Sequence, residues 1–207
     1  MNSVMEHIHR TRVVAIFRGS YEGKWLVYAN ALLQGGLTAM EITLNSDGAY
    51  QGLELLRDKL GDRIALGAGT VLTAEQVRAA ADHGATFIVT PDTDESVIAE
   101  AKARGLVVIP GAYTPTEIKR AYTLGADMVK VFPSQTPDYI KAIRAPLNHI
   151  PMMATGGVDL ANAELFLKAG ASALGIGSYL TQPSLSPDEV ALRAARFAAV
   201  ASGRQLV

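Results

Sequence analysis

The stretch that decides the fold runs from 105 to 129 and holds one complete structural unit. It begins Gly105-Leu106-Val107-Val108-Ile109-Pro110-Gly111, continues through Thr114-Pro115-Thr116-Glu117 and ends Gly125-Ala126-Asp127-Met128-Val129. The two apolar runs predict strands. The segment between them opens with a helix cap, a proline at the first helical position and a glutamate three residues after the cap. The stretch therefore predicts a strand, a helix and a second strand.

The same glycine-led unit recurs along the chain. Its leading glycines follow one another after 25, 23, 21 and 20 residues, at Gly36, Gly61, Gly84, Gly105 and Gly125. Gly170 opens a further unit 45 residues later, and Pro151-Met152-Met153-Ala154 supplies the strand between. With the opening run Val13-Val14-Ala15-Ile16-Phe17 the count is eight strands. We expect each leading glycine to end the preceding helix in a left-handed conformation.

Strands that are apolar throughout are typical of a parallel sheet buried on both faces. Eight such units in 207 residues predict an α/β protein, a (β/α)8 TIM barrel with an N-terminal helix and a C-terminal helix. Capping boxes at Thr73 and Ser186 mark two further helix starts, the second of them the C-terminal helix. A doubly wound, flavodoxin-like sheet is the alternative, but it would leave about three strands unused. We expect a single domain over 1–207.

Composition excludes several classes of protein. The net charge of -1, from 19 basic and 20 acidic residues, predicts no nucleic-acid partner and no anionic membrane partner. The absence of cysteine excludes disulfides, and with only His7, His9, His83 and His149 as nitrogen ligands we expect no metal site. The N-terminus lacks the apolar core of a signal peptide and no apolar run is long enough to span a membrane. We therefore expect a cytoplasmic protein.

Active sites of such barrels lie at the C-terminal ends of the strands, so polar residues there are candidates for chemistry. The predicted strand ends supply Arg18, Glu41, Thr43, Asn45, Thr70, Pro91, Lys130, Phe132, Thr155, Gly156, Gly157, Gly177 and Ser178.

Lys130 is the most unusual of these residues, because it interrupts the apolar run Met128-Val129-Lys130-Val131-Phe132. Burial disfavours the ammonium form and lowers a lysine pKa, so a buried amine can attack a carbonyl and form a Schiff base. The structural alternative is a lysine whose apolar stem is buried while its head reaches solvent. Glu41 is the second charge in a strand-like run, and a carboxylate near Lys130 could carry the protons that Schiff-base chemistry moves. Its structural alternative is an ion pair with Lys130 or Arg18.

The remaining candidates suit an anionic substrate. Amides around Gly156-Gly157 and Gly177-Ser178 can bind a phosphate, and barrels often hold phosphate in the loops after strands seven and eight. The planar guanidinium of Arg18 suits carboxylate or phosphate. Thr70 and Thr155 could hydrogen-bond a carboxylate, while Phe132 and Pro91 could form an apolar wall. Each of these glycines and threonines could equally be an ordinary turn or helix cap.

Four motifs together resemble one enzyme family. They are Gly36-x-x-x-x-Glu41-Ile42-Thr43-Leu44, Gly67-Ala68-Gly69-Thr70-Val71-Leu72, Gly125-x-x-x-x-Lys130-Val131-Phe132-Pro133-Ser134 and Thr155-Gly156-Gly157-Val158. The chain resembles, from about Val13 to Leu180, the class I 2-keto-3-deoxy-6-phosphogluconate aldolases, a family that includes 4-hydroxy-2-oxoglutarate and phosphogalactonate aldolases.

The resemblance implies a function and a role for each motif. Lys130 would form the Schiff base, Glu41 would be the general acid and base, and Thr70 and Thr155 would hold the pyruvyl carboxylate. The phosphate would bind the glycine-rich ends at Gly156, Gly157, Gly177 and Ser178. The family is trimeric and needs no metal, so the resemblance implies a homotrimer without a cofactor. The substrate of the enzyme would be a small keto acid phosphate, and the enzyme would act in carbohydrate metabolism of the Entner-Doudoroff type.

Two departures from the family pattern bear on the substrate. Asn45 stands where the family usually has arginine, which gives more of the anion-binding role to Arg18 and resembles the phosphogalactonate branch. Gln135-Thr136-Pro137-Asp138 replaces a longer, glycine-containing stretch after Ser134. We expect cleavage of 2-dehydro-3-deoxy-6-phosphogluconate to pyruvate and glyceraldehyde 3-phosphate. The alternatives are the phosphogalactonate epimer, unphosphorylated 4-hydroxy-2-oxoglutarate, and a non-catalytic phospho-sugar-binding barrel in which Lys130 and Glu41 only pair with each other.

Overall fold

The computed structural model of the chain describes residues 3–21 and 23–203. Its strands are β1 (Val13–Phe17), β2 (Ala39–Thr43), β3 (Ala65–Gly69), β4 (Phe87–Val89), β5 (Val107–Ile109), β6 (Gly111–Ala112), β7 (Val129–Val131), β8 (Met152–Thr155) and β9 (Ala173–Ile176). Its helices are α1 (Ser3–Thr11), α2 (Trp25–Gln34), α3 (Ala49–Leu60), α4 (Ala74–Asp82), α5 (Glu95–Ala103), α6 (Pro115–Thr123), α7 (Pro137–Arg144), α8 (Ala163–Lys168), α9 (Ser178–Thr181) and α10 (Pro187–Ala201). A 3-10 turn spans Gly61–Arg63. The single domain expected over 1–207 includes residues 1, 2, 22 and 204–207, which lie outside the described residues.

The strands form one parallel sheet in the order β5-β4-β3-β2-β1-β9-β8-β7-β6. β5 and β6 are two halves of one barrel strand, separated at Pro110, which has no amide hydrogen to donate to the ladder. The sheet closes into a barrel because the amides of Asp127 and Lys130 donate to the carbonyls of Val108 and Pro110, at 3.0 and 2.8 Å. The predicted (β/α)8 barrel is thus confirmed, and the flavodoxin-like alternative is wrong. The sequence predicted that the fifth strand ends at Pro110-Gly111. Its pairing instead continues to Ala112, one residue further.

The helix boundaries follow the local signals in the sequence. The six leading glycines all have positive φ angles, between 48° and 107°. Both expected capping boxes at Thr114 and Ser186 are present. At Thr73 the hydroxyl accepts from the Gln76 amide, but the Gln76 side chain accepts from the Leu72 amide at 2.6 Å instead of from Thr73. The box predicted at Thr73 is therefore a helix cap without the reciprocal bond. None of the described helices combines the length and apolar character that a membrane span requires.

Alternate residues of each strand belong to two different apolar clusters, as period-two side-chain geometry requires. One set faces outward and packs against the helices. The other set fills the barrel interior and consists of Val14, Ala39, Ala65, Phe87, Val89, Val107, Ile109, Met128, Met153 and Ala173, joined by Val4, Met5 and Ile8 from α1. Because several of these residues are the first of their strands, this cluster closes the N-terminal end of the barrel, and α1 covers it. The opposite end stays open for a site.

Candidate active site

Lys130 and Glu41 enter the barrel interior from strands on different sides. In β7 the flanking Val129 and Val131 belong to the outer cluster, so Lys130 faces inward. In β2 the same alternation, with Met40 and Ile42 outward, turns Glu41 inward. Only 4% of the Lys130 surface and 1% of the Glu41 surface are exposed. The sequence-based prediction of two buried charges in otherwise apolar strands is therefore confirmed.

Burial shifts both groups towards their neutral forms. The pKa of Lys130 is lowered chiefly by burial, with a small contribution from Arg18, and the Glu41 carboxylate opposes this shift. The pKa of Glu41 is raised by burial, while Lys130 and Arg18 act in the opposite direction. Within the described residues, no ion pair includes either side chain. A neutral amine is a nucleophile and a raised carboxyl pKa suits proton transfer near neutral pH.

A cavity of about 580 Å³ lies at the C-terminal ends of the strands, and Lys130 lines it whereas Glu41 does not. It is lined by ten of the thirteen predicted site residues, namely Arg18, Thr70, Pro91, Lys130, Phe132, Thr155, Gly156, Gly157, Gly177 and Ser178. The Phe132 ring, 41% exposed, lies 5.0 Å from Lys130 Nζ. The cavity volume fits a small organic ligand.

Polar groups along one wall of the cavity have unsatisfied bonding capacity. Arg18 donates from Nη2 to Thr70 Oγ1 at 3.3 Å. Thr70 has a φ angle of 56°, a left-handed conformation that is strained for a β-branched residue and is often found at functional sites. Thr155 Oγ1 is buried and, among the described residues, has no hydrogen-bond partner. A ligand in the cavity can complete the hydrogen bonding of this hydroxyl.

The glycine-rich loops after β8 and β9 form part of the cavity lining. Gly156 and Gly157 have φ angles of 95° and 71°, which bring backbone to the cavity wall without side chains. The loop after β8 is fixed by Asn162, whose Nδ2 donates to the Gly157 carbonyl at 2.8 Å. Ser178 begins α9, and the first amides of a helix lack acceptors within it. These amides make the glycine-rich loops suitable for binding an anion.

Three predicted site residues lie outside the cavity lining: Glu41, Thr43 and Asn45. Thr43 is buried, and its Oγ1 lies 2.9 Å from Ser46 Oγ, which also accepts from the Gly19 amide at 3.0 Å. Thr43 therefore joins the loops that follow β1 and β2. Asn45 is exposed in the turn between Thr43 and Ser46, because that turn points its second central residue to solvent. The prediction that Thr43 and Asn45 contact substrate has no support in the geometry of this cavity.

Other residues that were not predicted from the sequence also line the cavity: Ile16, Val158, Asp159, Gly175, Tyr179, Thr181, Gln182 and Pro183. The segment from Tyr179 to Pro183 directly follows the predicted glycine-rich end at Gly177-Ser178, so its position in the sequence was the available signal. Tyr21 and Tyr28 hold this segment by donating to the Thr181 and Pro183 carbonyls. In the parts of the chain that the structure describes, no group of three or more histidine and acidic side chains could hold a metal ion.

A parallel α/β barrel with a buried lysine and a buried carboxylate near the C-terminal ends of its strands has the groups that an aldolase of the aldehyde-lyase class uses, and comparison with known proteins shows that class. The chain belongs to the family described as KDPG and KHG aldolase, whose model matches residues 4–193.

Individual relatives and structures agree with this assignment. The chain is 39% identical to the 2-dehydro-3-deoxy-6-phosphogalactonate aldolase of Escherichia coli (strain K12) over 89% of its own length and 92% of that protein. It is 33% identical to the 2-dehydro-3-deoxy-phosphogluconate aldolase of Treponema pallidum (strain Nichols) over 78% of each chain. A solved structure described as native KDPGal is 38% identical, superposes with a TM-score of 0.89, and is covered over 94% of its length by 92% of this chain.

Proposed function

We propose that this aldolase works through a Schiff base on Lys130 and cleaves a 2-dehydro-3-deoxy-6-phospho sugar acid to pyruvate and glyceraldehyde 3-phosphate. The observation that carries the proposal is the pair of buried charges in the barrel mouth. Lys130 and Glu41 are both almost fully buried, and both have pKa values shifted towards the neutral form. A structural pair alone does not account for the cavity of about 580 Å³ that Lys130 lines.

The reaction follows from the chemistry of these two groups. Lys130 Nζ attacks the C2 ketone, and loss of water from the carbinolamine gives a protonated imine. Glu41, directly or through water, accepts the C4 hydroxyl proton as the C3–C4 bond breaks, and the bonding electrons form an enamine with the iminium nitrogen as their sink. Glyceraldehyde 3-phosphate leaves, C3 takes up a proton, and hydrolysis releases pyruvate and the free amine. The covalent adduct supplies the electron sink, and we predict that no cofactor takes part.

The remaining cavity groups bind the two ends of the substrate in this proposal. Thr70, Thr155 and Arg18 hold the carboxylate of the keto acid, and Thr155 Oγ1 gains the hydrogen bond that it lacks among the described residues. The phosphate lies against Gly156, Gly157, Gly177 and Ser178, which also line the cavity. Phe132 and Pro91 wall the apolar side.

The galactonate-derived epimer is the preferred substrate of our proposal. The relative with that name is more similar in sequence, 39% against 33% for the gluconate-named one, and it aligns over more of this chain. Asn45 stands where the family's first motif usually has arginine, and in this it resembles the phosphogalactonate branch. The gluconate-derived substrate, our expectation from sequence, is the second candidate, and unphosphorylated 4-hydroxy-2-oxoglutarate is the third. We further propose a homotrimer in the cytoplasm, acting in carbohydrate breakdown of the Entner-Doudoroff type, on the basis of the family resemblance.

A kinetic panel tests the proposal. Pyruvate release from the galactonate-derived and gluconate-derived 6-phosphates, from their dephosphorylated forms and from 4-hydroxy-2-oxoglutarate gives kcat/KM for each. We expect the galactonate-derived phosphate to be the best substrate and removal of the phosphate to raise KM. Equal efficiency with and without phosphate would contradict the role of the glycine-rich end. Ligand binding without pyruvate release from any of them would favour the non-catalytic phospho-sugar-binding barrel.

A further inference from the structure

Gly69, the last residue of β3, leaves space that the Glu41 side chain occupies. A Cβ atom built on Gly69 would lie 2.3 Å from Glu41 Oε1 and 2.8 Å from Glu41 Cδ. Real Cβ atoms do not approach other atoms so closely. Gly69 lies in an extended strand and is not among the residues with positive φ, so its backbone conformation does not require glycine. Glycine is required at this position because a side chain would overlap Glu41.

Hydrogen bonds do not explain where the Glu41 carboxyl lies. Its Oε2 atom is buried and has no hydrogen-bond partner within the described residues. A buried carboxyl oxygen in this state is costly unless a ligand or water completes its bonding. Packing and the attraction of Lys130 and Arg18 therefore hold the group, and a side chain at Gly69 would occupy part of the space that the carboxyl fills.

We infer that Gly69 is a positioning residue for the proton-transfer step: the absence of its side chain lets the Glu41 carboxyl lie flat against β3, in reach of the substrate bound to Lys130. The inference rests on the proposed function, because it assumes that Glu41 carries the proton. Gly175 on β9 stands in the same relation to Thr155, since its Cβ would lie 2.4 Å from Thr155 Oγ1. Inward glycines on two strands thus make room for polar side chains of the strands beside them.

Gly67 provides the matched control, because it lies two residues earlier on the same strand and faces the same side. Its Cβ would lie 2.3 Å from the Phe87 ring, which belongs to the apolar interior and not to the site. An added methyl group at 67 or 69 therefore meets an overlap of the same size. The two substitutions differ in what must move: a core aromatic ring at 67, and the end of a flexible carboxylate side chain at 69.

The test compares Gly69→Ala in two backgrounds. In the wild-type background we expect a folded enzyme whose kcat falls about 10²-fold, because a catalytic group displaced by about 1 Å loses that much. In the Glu41→Gln background the same substitution should lower kcat by less than about twofold, because no proton transfer by residue 41 remains to be lost. Equal loss in both backgrounds would overturn the inference. Gly67→Ala should lower the melting temperature and leave kcat per folded molecule unchanged.

A stability measurement covers the case in which Gly69→Ala does not fold. Glu41→Ala removes the two atoms that overlap, and the nearest remaining atom is Thr43 Cγ2 at 3.2 Å. We then expect Gly69→Ala to fold in the Glu41→Ala background, with a melting temperature close to that of Glu41→Ala alone. Failure to fold in both backgrounds would contradict the inference. A wild-type enzyme that releases no pyruvate would overturn the proposed function, and the melting temperatures would still decide whether Gly69 makes room for Glu41.

Discussion

The two ends of the barrel interior are built from the same strands and differ in what their inward-facing residues do. At the N-terminal end, which we call the lower layer, the inward residues are apolar: Val14, Ala39, Ala65, Phe87, Val107, Met128, Met153 and Ala173. Two residues further along the strands, in the upper layer, stand Ile16, Glu41, Gly67, Val89, Ile109, Lys130, Thr155 and Gly175. On β2, Glu41 follows two residues after the apolar Ala39. In the same way Lys130 on β7 follows two residues after Met128, which directly precedes that strand.

Within a single core, the lower layer contributes stability and the upper layer contains the groups for chemistry. The lower layer is sealed by α1 and excludes water, so its side chains contribute apolar burial. The upper layer contains a carboxyl oxygen and a hydroxyl without partners in the described residues, which destabilises the folded state. Proteins accept such groups where function requires them. Substitutions in the lower layer should therefore change stability, and substitutions of the polar upper-layer residues Glu41, Lys130 and Thr155 should change catalysis.

The largest expected effect of a single upper-layer change, short of removing the nucleophile, is that of Glu41→Gln. Loss of the proton carrier should lower kcat by about 10²- to 10⁴-fold, the usual contribution of a general acid or base. The control is Glu164→Gln, an exposed carboxylate on α8 that pairs with Lys168. Steady-state kinetics of both variants checks the expectation. An undiminished kcat for Glu41→Gln would mean that another group moves the proton.

The next effect is expected in the lower layer. Phe87→Ala removes a fully buried ring and should lower the free energy of unfolding by about 3–5 kcal/mol, while kcat per folded molecule stays unchanged. Urea unfolding and active-site titration measure the two quantities. A fall in kcat without loss of stability would show that the two layers are not separate in function.

The pH dependence of activity distinguishes the contribution of Glu41 from that of Lys130. Burial raises the pKa of Glu41 and lowers that of Lys130, and both groups must be unprotonated in the free enzyme for proton abstraction and imine formation. As pH falls, kcat/KM should therefore drop with a slope that approaches about 2 on logarithmic axes, and with a slope of about 1 in Glu41→Gln. Equal slopes in the two enzymes would contradict the involvement of both groups.

The smallest expected effect concerns Thr70 at the rim of the upper layer. Thr70→Gly relieves the strain of a φ angle of 56° and should stabilise the fold by about 1 kcal/mol, after allowance for the greater freedom of glycine in the unfolded chain. The loss of the hydroxyl that Arg18 contacts should raise KM. Unfolding curves and KM values measured on one preparation test both parts. A destabilised variant would mean that the Thr70 conformation is not strained.

Local signals in the sequence predicted the fold well because each unit contains its own boundaries. Leading glycines, capped helix starts and apolar runs are short-range features, and the structure confirms eight β–α units from them. The division of the fifth strand at Pro110 was not predicted. Its pairing depends on β4 at one end and β7 at the other, and both are distant in the sequence.

The site was predictable in part. Lys130 and Glu41 stand out as charges in apolar strands, and most strand-end residues do line the cavity. Thr43 and Asn45 do not line the cavity, because the direction of the turn after β2 depends on a distant contact, that of Ser46 with Gly19. The space-making role of Gly69 was invisible for the same reason, since it depends on a side chain from a neighbouring strand.

The most direct test of the central claim is reductive trapping of Lys130. The enzyme is treated with pyruvate and sodium borohydride, digested, and analysed by mass spectrometry, with Lys130→Ala as the matched variant. We predict a stable pyruvate-derived mass on the peptide that carries Lys130, no such mass in the variant, and loss of aldolase activity in step with the labelling. Labelling of another lysine, or full activity in Lys130→Ala, would contradict the account.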